Sequence, residues 1–246
     1  SKTVRDIRGY RELQAEERRK LLKNFGLNIH RPKRPGSPWA RITALGSYQE
    51  VGRACHLVTT NESRVMIDVG VNIASDTDPM PFFNAPEALP LEQLDAVIIT
   101  HAHLDHAGML PVLFKYGYKG PVFCTPPTRD LMLLLQTDYL KIGGSEGRPA
   151  PYDMEDIRTC MRHVVDVEWN QTTDVAPDMK MTFSNSGHII GSSAVHLNIA
   201  DGKHNLVFSG DQKYEKSWMF DAANTRFPRC ETLVLEATYG AAGDFQ

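Results

Sequence analysis

Thr100-His101-Ala102-His103-Leu104-Asp105-His106-Ala107-Gly108 places three imidazoles and one carboxylate within six residues, directly after the apolar run Leu94-Asp95-Ala96-Val97-Ile98-Ile99. That run is short and rich in β-branched residues, the pattern of a buried strand. Imidazole nitrogen and carboxylate oxygen suit borderline divalent metals, and a strand end followed by a helix start can converge them on one point. A chance surface cluster of histidines would explain neither the apolar lead-in nor the small Ala107-Gly108 pair, which lets the next helix pack closely. The spacing predicts a metal site.

Three further positions follow strand-like runs. Asp68 closes Val65-Met66-Ile67-Asp68-Val69-Gly70, and Asp211 closes Leu206-Val207-Phe208-Ser209-Gly210-Asp211. His188 lies in Ser186-Gly187-His188-Ile189-Ile190-Gly191, between glycines that free the backbone to turn. Alone, each has an ordinary explanation as a turn residue or a core histidine. Together with the His101–His106 cluster, all three are expected at one sheet edge.

The rest of the chain reads as strands, then helices, then strands. Residues 1–25 have loose helical spacing, with Gly26 as a stop, and Arg31–Pro38 carries three prolines and a glycine, as a linker does. A basic arm and linker over 1–38 and a globular part over 39–246 are therefore expected. Strands are predicted at Trp39–Leu45, Ala54–Thr60, Arg64–Val69 and Pro121–Cys124, and helices at Leu104–Tyr116, about Thr128 to Ile142 and Asp153–Met161. Further strands are predicted at Met179–Ser184, Ala194–Ile199, Asn205–Phe208 and Thr232–Leu235. The absence of a strict strand–helix alternation predicts two sheets with helices outside rather than a doubly wound sheet.

Of the 246 residues, 41% are hydrophobic, ample for a core. Cys55, Cys124, Cys160 and Cys230 are scattered with no C-x-x-C pair, which suits a reducing compartment and thiols without a disulfide framework. No apolar run approaches a membrane span, and a cytoplasmic protein without membrane contact is expected. The net charge of -3 hides an asymmetry: residues 1–35 hold eleven Lys/Arg against four acids, +7, leaving -10 for the remainder. A basic arm before an acidic, metal-holding body suits a polyanionic substrate, and equally a solvated helix.

The order Asp68, His-x-His-x-Asp-His, His188, Asp211 resembles the metallo-β-lactamase fold. The resemblance implies an α/β (α+β) protein, an αββα sandwich with two metals, usually zinc, between the sheet edges. His101, His103 and His188 would hold the first metal, Asp105 and His106 would help hold the second, Asp211 would bridge them, and Asp68 would orient the ligands from behind. Two such metals can share a bridging hydroxide and clamp a phosphoryl oxygen.

Leu45–Arg53, Gly120–Thr125 and Leu235-Glu236-Ala237-Thr238-Tyr239-Gly240 look like the β-CASP nuclease branch. Together with Lys115-Tyr116-Gly117-Tyr118 and His188–Ser192, they resemble the archaeal cleavage and polyadenylation specificity factor-like ribonucleases, from about Trp39 to Gly240. This resemblance implies hydrolysis of single-stranded RNA, endonucleolytic and sometimes 5′→3′, in 3′-end processing, transcription termination or decay. Asp68, Asp105, Asp211 and Glu236 would be its catalytic carboxylates, and the full-length form a homodimer.

In that branch a second domain is inserted near Glu236, and the returning chain supplies two further histidines. No histidine follows His204. The resemblance therefore implies an incomplete sandwich, a four-ligand first metal site, a second site one ligand short, a missing C-terminal part as partner, and weak or no activity for this stretch alone. Two other readings stand beside it: a small-molecule hydrolase of the glyoxalase or lactamase type, and a non-catalytic scaffold. Nothing in the sequence reads a 2′-hydroxyl, so DNA stays open as a substrate. His56, His163, His196 and His204 are expected to be structural or surface residues, although His196, alternating with Val195 and Leu197, could face the site.

Overall fold

The buried run before the histidines lies inside a six-stranded mixed sheet. The computed structural model describes residues 15–240 apart from 76, 146, 148 and 149. Strands β1 (Ala40–Gly46), β2 (Cys55–Thr60) and β3 (Arg64–Ile67) form an antiparallel meander. β4 (Ala96–Ile98), β5 (Val122–Cys124) and β6 (Val164–Asp166) extend it in parallel, in the spatial order β1-β2-β3-β4-β5-β6. A second sheet has the order β11-β10-β9-β8-β7, from β7 (Thr172–Ala176), β8 (Met179–Asn185), β9 (Ser193–Ile199), β10 (His204–Phe208) and β11 (Thr232–Val234).

The alternation in β8 and β9 turns Met181, Phe183, Val195 and Leu197 inward, against Val58, Ile67, Ile98 and Phe123 of the first sheet. The first sheet's other face turns Leu57, Met66, Val97 and Cys124 to a helical layer contributing Leu110, Leu113, Met132 and Ile157. That layer comprises the short α2 (Leu104–Ala107), α3 (Leu110–Lys115), α4 (Pro126–Ser145) and α5 (Met154–His163). The expected arrangement of two sheets with helices outside is the one observed. Among the described residues, no helix is long and apolar enough to cross a membrane.

Three local expectations need correction. The helix expected over Leu104–Tyr116 is two helices, because the Met109 N–H leaves the helical ladder to bond the Val69 carbonyl at 2.9 Å. Pro111 then sits in the first turn of α3, where its missing N–H costs nothing. Gly26 does not stop the first helix, α1 (Ala15–Ile29). Beyond it, the Asn28 amide bonds the Asp95 carboxylate at 3.0 Å and Ile29 packs against the inter-sheet core, contacts that outweigh glycine's poor propensity. The earlier part of that expected helix, residues 1–14, lies outside the described residues. β6 and β7 have no counterpart among the predicted strands: β6 follows α5 without a break, and β7 is a polar edge strand.

Candidate metal centre

β3 and β4 run parallel, so the chain leaves both at the same edge of the sheet. It leaves β3 at Asp68 with φ +59°, a left-handed conformation that aspartate tolerates better than most residues. The following loop lies directly on the histidine motif: Val69 N–H bonds the His106 carbonyl at 2.7 Å, and Val71 N–H bonds that of Leu104 at 2.9 Å. A Cβ on Gly70 would fall 1.6 Å from the Asp105 carbonyl oxygen, so only glycine permits this approach.

Asp68 is buried and accepts three hydrogen bonds. Its Oδ1 takes the Thr100 N–H at 2.8 Å, and its Oδ2 takes the Thr100 hydroxyl and His106 Nδ1, each at 2.8 Å. With Nδ1 committed to Asp68, His106 presents Nε2 outward, 3.2 Å from Asp211 Oδ1 and 3.8 Å from Asp105 Oδ2. Thr100 also lies 3.1 Å from His101 Nδ1 through its hydroxyl.

His101 Nε2 and His188 Nε2 each stand 3.2 Å from His103 Nδ1, and 3.7 and 3.5 Å respectively from Asp211 Oδ2. Four donors each about 2.1 Å from a tetrahedral zinc ion lie about 3.4 Å from one another. The His101, His103, His188, Asp211 set has that spacing, and all four atoms fall within 4.8 Å. The donors therefore fit a metal ion, and the cluster is able to hold one. His101, Asp105 and His106 form a second convergent group. Asp211 turns one oxygen to each: Oδ2 to His101 and His188, Oδ1 to His106.

The electrostatics favour the neutral form of His101 and His188. Burial pushes the His101 pKa well down, helped by the neighbouring His106, His103 and His188 rings. Burial also lowers His188, although Asp211 opposes it. For His106, burial favours the neutral ring, but Asp68 and Asp211 together outweigh it and hold the pKa well up. Burial would raise Asp211, and the facing His106 more than reverses it.

Asp105, His106 and Asp211 also line a cleft of about 530 Å³, walled by Tyr48, His56, Phe208 and Glu236. Glu236 belongs to neither donor group. Its carboxylate accepts the Thr238 N–H at 2.8 Å, and its own N–H bonds the Ser209 hydroxyl at 2.9 Å. His196 does not face the site: its Nε2 bonds the Arg229 carbonyl at 2.9 Å and its ring stacks on Phe227. His56, expected to be structural, lies in the cleft wall between Tyr48 and Phe208. Thr100 is not among the residues expected from sequence, since its role depends on facing Asp68 from the next strand.

A Metallo-beta-lactamase superfamily domain is matched over residues 57–232. The chain is 52% identical over 246 residues to the transcription termination factor FttA of Methanosarcina mazei, covering all of this chain and 39% of that protein. It is 48% identical over 248 residues to the factor of the same name from Methanothermobacter thermautotrophicus, again covering 39% of that protein. The chain thus spans about two fifths of the length of the curated relatives it matches. A crystal structure of a protein of unknown function from Enterococcus faecalis aligns with 72% of this chain and 44% of its own, at a TM-score of 0.50 and 16% identity, a likeness of fold alone.

Proposed function

The chain belongs to the metallo-β-lactamase superfamily, and from that premise we propose that it carries the metal centre of a zinc-dependent, β-CASP-type nuclease that cuts single-stranded RNA in transcription termination or 3′-end processing. The observation that carries this reading is Asp211, which faces a three-histidine set with one oxygen and His106 with the other. A fold alone names no substrate. RNA is supported by the likeness to proteins named transcription termination factors and by the β-CASP-like stretches around Ser47–Arg53 and Glu236–Gly240.

His101, His103 and His188 with Asp211 would hold the first metal, and Asp105 and His106 with the other oxygen of Asp211 the second. When bound, the pair would supply Lewis acidity toward a phosphoryl oxygen and an activated water at neutral pH. Asp68 fixes the Nδ1 proton of His106 and so aims Nε2 at the centre. Glu236, tethered by the Thr238 N–H on the wall of the same cleft, is placed to help manage the proton of the leaving oxygen. Among the described residues the first set has four donors and the second three, so the first metal would be bound more tightly. Single-stranded RNA and the remainder of a longer protein are the partners this reading implies, with dimerisation a property of that longer form.

The reading is tested by incubating this chain, and a full-length protein containing it, with labelled single-stranded RNA, single-stranded DNA and a thiolester, with and without chelator. Chelator-sensitive cutting of RNA by the full-length protein is expected. Turnover of the thiolester alone would favour a small-molecule hydrolase, and equal RNA cutting by wild type and Asp211→Ala would sink the two-metal reading.

A further inference from the structure

His188 is held differently from His101 and His106. His106 fixes its second ring nitrogen on Asp68, and His101 fixes its own on Thr100. His188 points Nε2 at His103 and Asp211, and among the described residues no protein group takes its Nδ1. A metal-binding histidine is ordinarily oriented through its far nitrogen. Here the orientation falls to the backbone of the turn between β8 and β9, which carries the residue.

That turn is closed on itself and then seated on α4. Ser192 N–H bonds the Ile189 carbonyl at 3.0 Å, and Ile189 N–H bonds the Ser192 hydroxyl at 3.1 Å. Gly191 has φ +80°, and a Cβ there would lie 2.7 Å from Thr125 Oγ1 and 3.0 Å from the Thr128 nitrogen. Three hydroxyls surround the Gly191 carbonyl oxygen: Thr125 at 2.7 Å, Thr128 at 3.1 Å and Ser193 at 3.2 Å. A carbonyl oxygen has two lone pairs, so the two nearest donors saturate it. Both threonines are buried, where an unanswered carbonyl would be costly.

We propose that Thr125 and Thr128 are positioning residues: their hydroxyls clamp the Gly191 carbonyl against the start of α4 and thereby hold His188 in register with His103 and Asp211. The proposal rests on the reading of His188 as a metal ligand. Thr125 has a competing structural role, because its Oγ1 also accepts the Thr128 N–H at 3.4 Å as a helix cap would. Thr128 has no such duty as a cap, although its Oγ1 also lies 2.9 Å from the Thr125 hydroxyl, so Thr128→Val removes one arm of the clamp together with that contact while keeping the β-branched shape.

Zinc affinity of the chain is measured by competition with a chromogenic chelator, and cobalt(II) substitution gives a visible spectrum of the first site. The variants are Thr128→Val, Thr128→Ser, Thr125→Val/Thr128→Val and His188→Ala, each with its metal-free melting temperature. The double variant is expected to bind zinc about 10–100-fold more weakly with an altered cobalt spectrum, and Thr128→Ser to return to the wild-type value. Wild-type affinity and spectrum in the double variant, or equal weakening in Thr128→Val and Thr128→Ser, would overturn the clamp. If the double variant does not fold, the Thr128→Val and Thr128→Ser pair decides in the same assay. His188→Ala binding zinc as tightly as wild type would instead overturn the ligand assignment itself, so the two failures are distinct.

Discussion

His106 Nε2 and Asp211 Oδ1 face each other at 3.2 Å, while the other oxygen of Asp211 is turned toward His188 at 3.5 Å. One carboxylate, carried by the second sheet with His188, therefore joins two groups of donors whose other members, His101, His103, Asp105 and His106, follow β4 of the first sheet. Asp211→Ala should remove a shared donor and weaken metal binding at both sites by more than about 100-fold, beyond the usual cost of losing a supporting residue. Elemental analysis after dialysis checks this, with Asp201→Ala, a change in an exposed residue paired with Lys33, retaining wild-type metal content.

Asp68→Asn tests the support behind the centre. Asparagine tolerates the left-handed backbone at this position, so the change acts on hydrogen bonding rather than on the turn. It removes the charge that answers Thr100 and His106 Nδ1. Urea unfolding of the metal-free protein should show a loss of about 2 kcal/mol, the scale of a hydrogen bond to a charged group. Affinity at the His106 group should fall about 10–100-fold. Unchanged values for both would show that Asp68 is a turn residue only.

Metal binding at the His106 group should release a proton. Burial alone would keep His106 neutral, but Asp68 and Asp211 outweigh it, so in the metal-free protein the ring's protonated form is favoured. A raised histidine pKa contributes stability that is complete below its unfolded value and is lost as pH rises through the native one. Metal must displace that proton, so affinity at this group should climb with pH over the range below the native pKa. His101, held neutral by burial among other histidines, should add no proton. Calorimetry in two buffers of different ionisation enthalpy is expected to find about one proton released at this group, and identical heats in both buffers would contradict it.

Much of this site is legible in the sequence, for a physical reason. His101 to His106 are neighbours in the chain, and their residue types state the chemistry without any knowledge of packing. Asp68 and Asp211 can be found because each ends an apolar strand, where a polar side chain falls at the sheet edge. Thr100 carries no such signal, since its hydroxyl matters only when parallel pairing of β3 and β4 places it beside Asp68. The same holds for His56: β2 carries it into the cleft wall through sheet pairing, and no local pattern marks that. The break at Met109 likewise depends on a carbonyl forty residues upstream, that of Val69.

The described part of the basic arm, from Ala15 onward, is anchored, and Arg31 is the test of that. Its guanidinium bonds Asp95 at 2.7 Å and the Glu62 carbonyl at 2.7 Å, while the Arg18 guanidinium bonds the Arg162 and Val164 carbonyls. Arg31→Ala leaves the largely buried Asp95 without its cation and should cost about 1–3 kcal/mol. Trypsin should then cut more readily at Arg19, Lys20 and Lys23, which face solvent on α1. Unchanged cleavage would mean that Arg31 is no anchor and that Phe25, Arg18 and Asn28 hold the helix without it.

The most direct measurement is anomalous scattering at the zinc edge from crystals of the protein grown with zinc. The strongest peak should lie among His101, His103, His188 and Asp211, with a weaker one beside Asp105, His106 and the other oxygen of Asp211. No peak within the first set, or two peaks of equal full occupancy, would contradict an unequal metal centre.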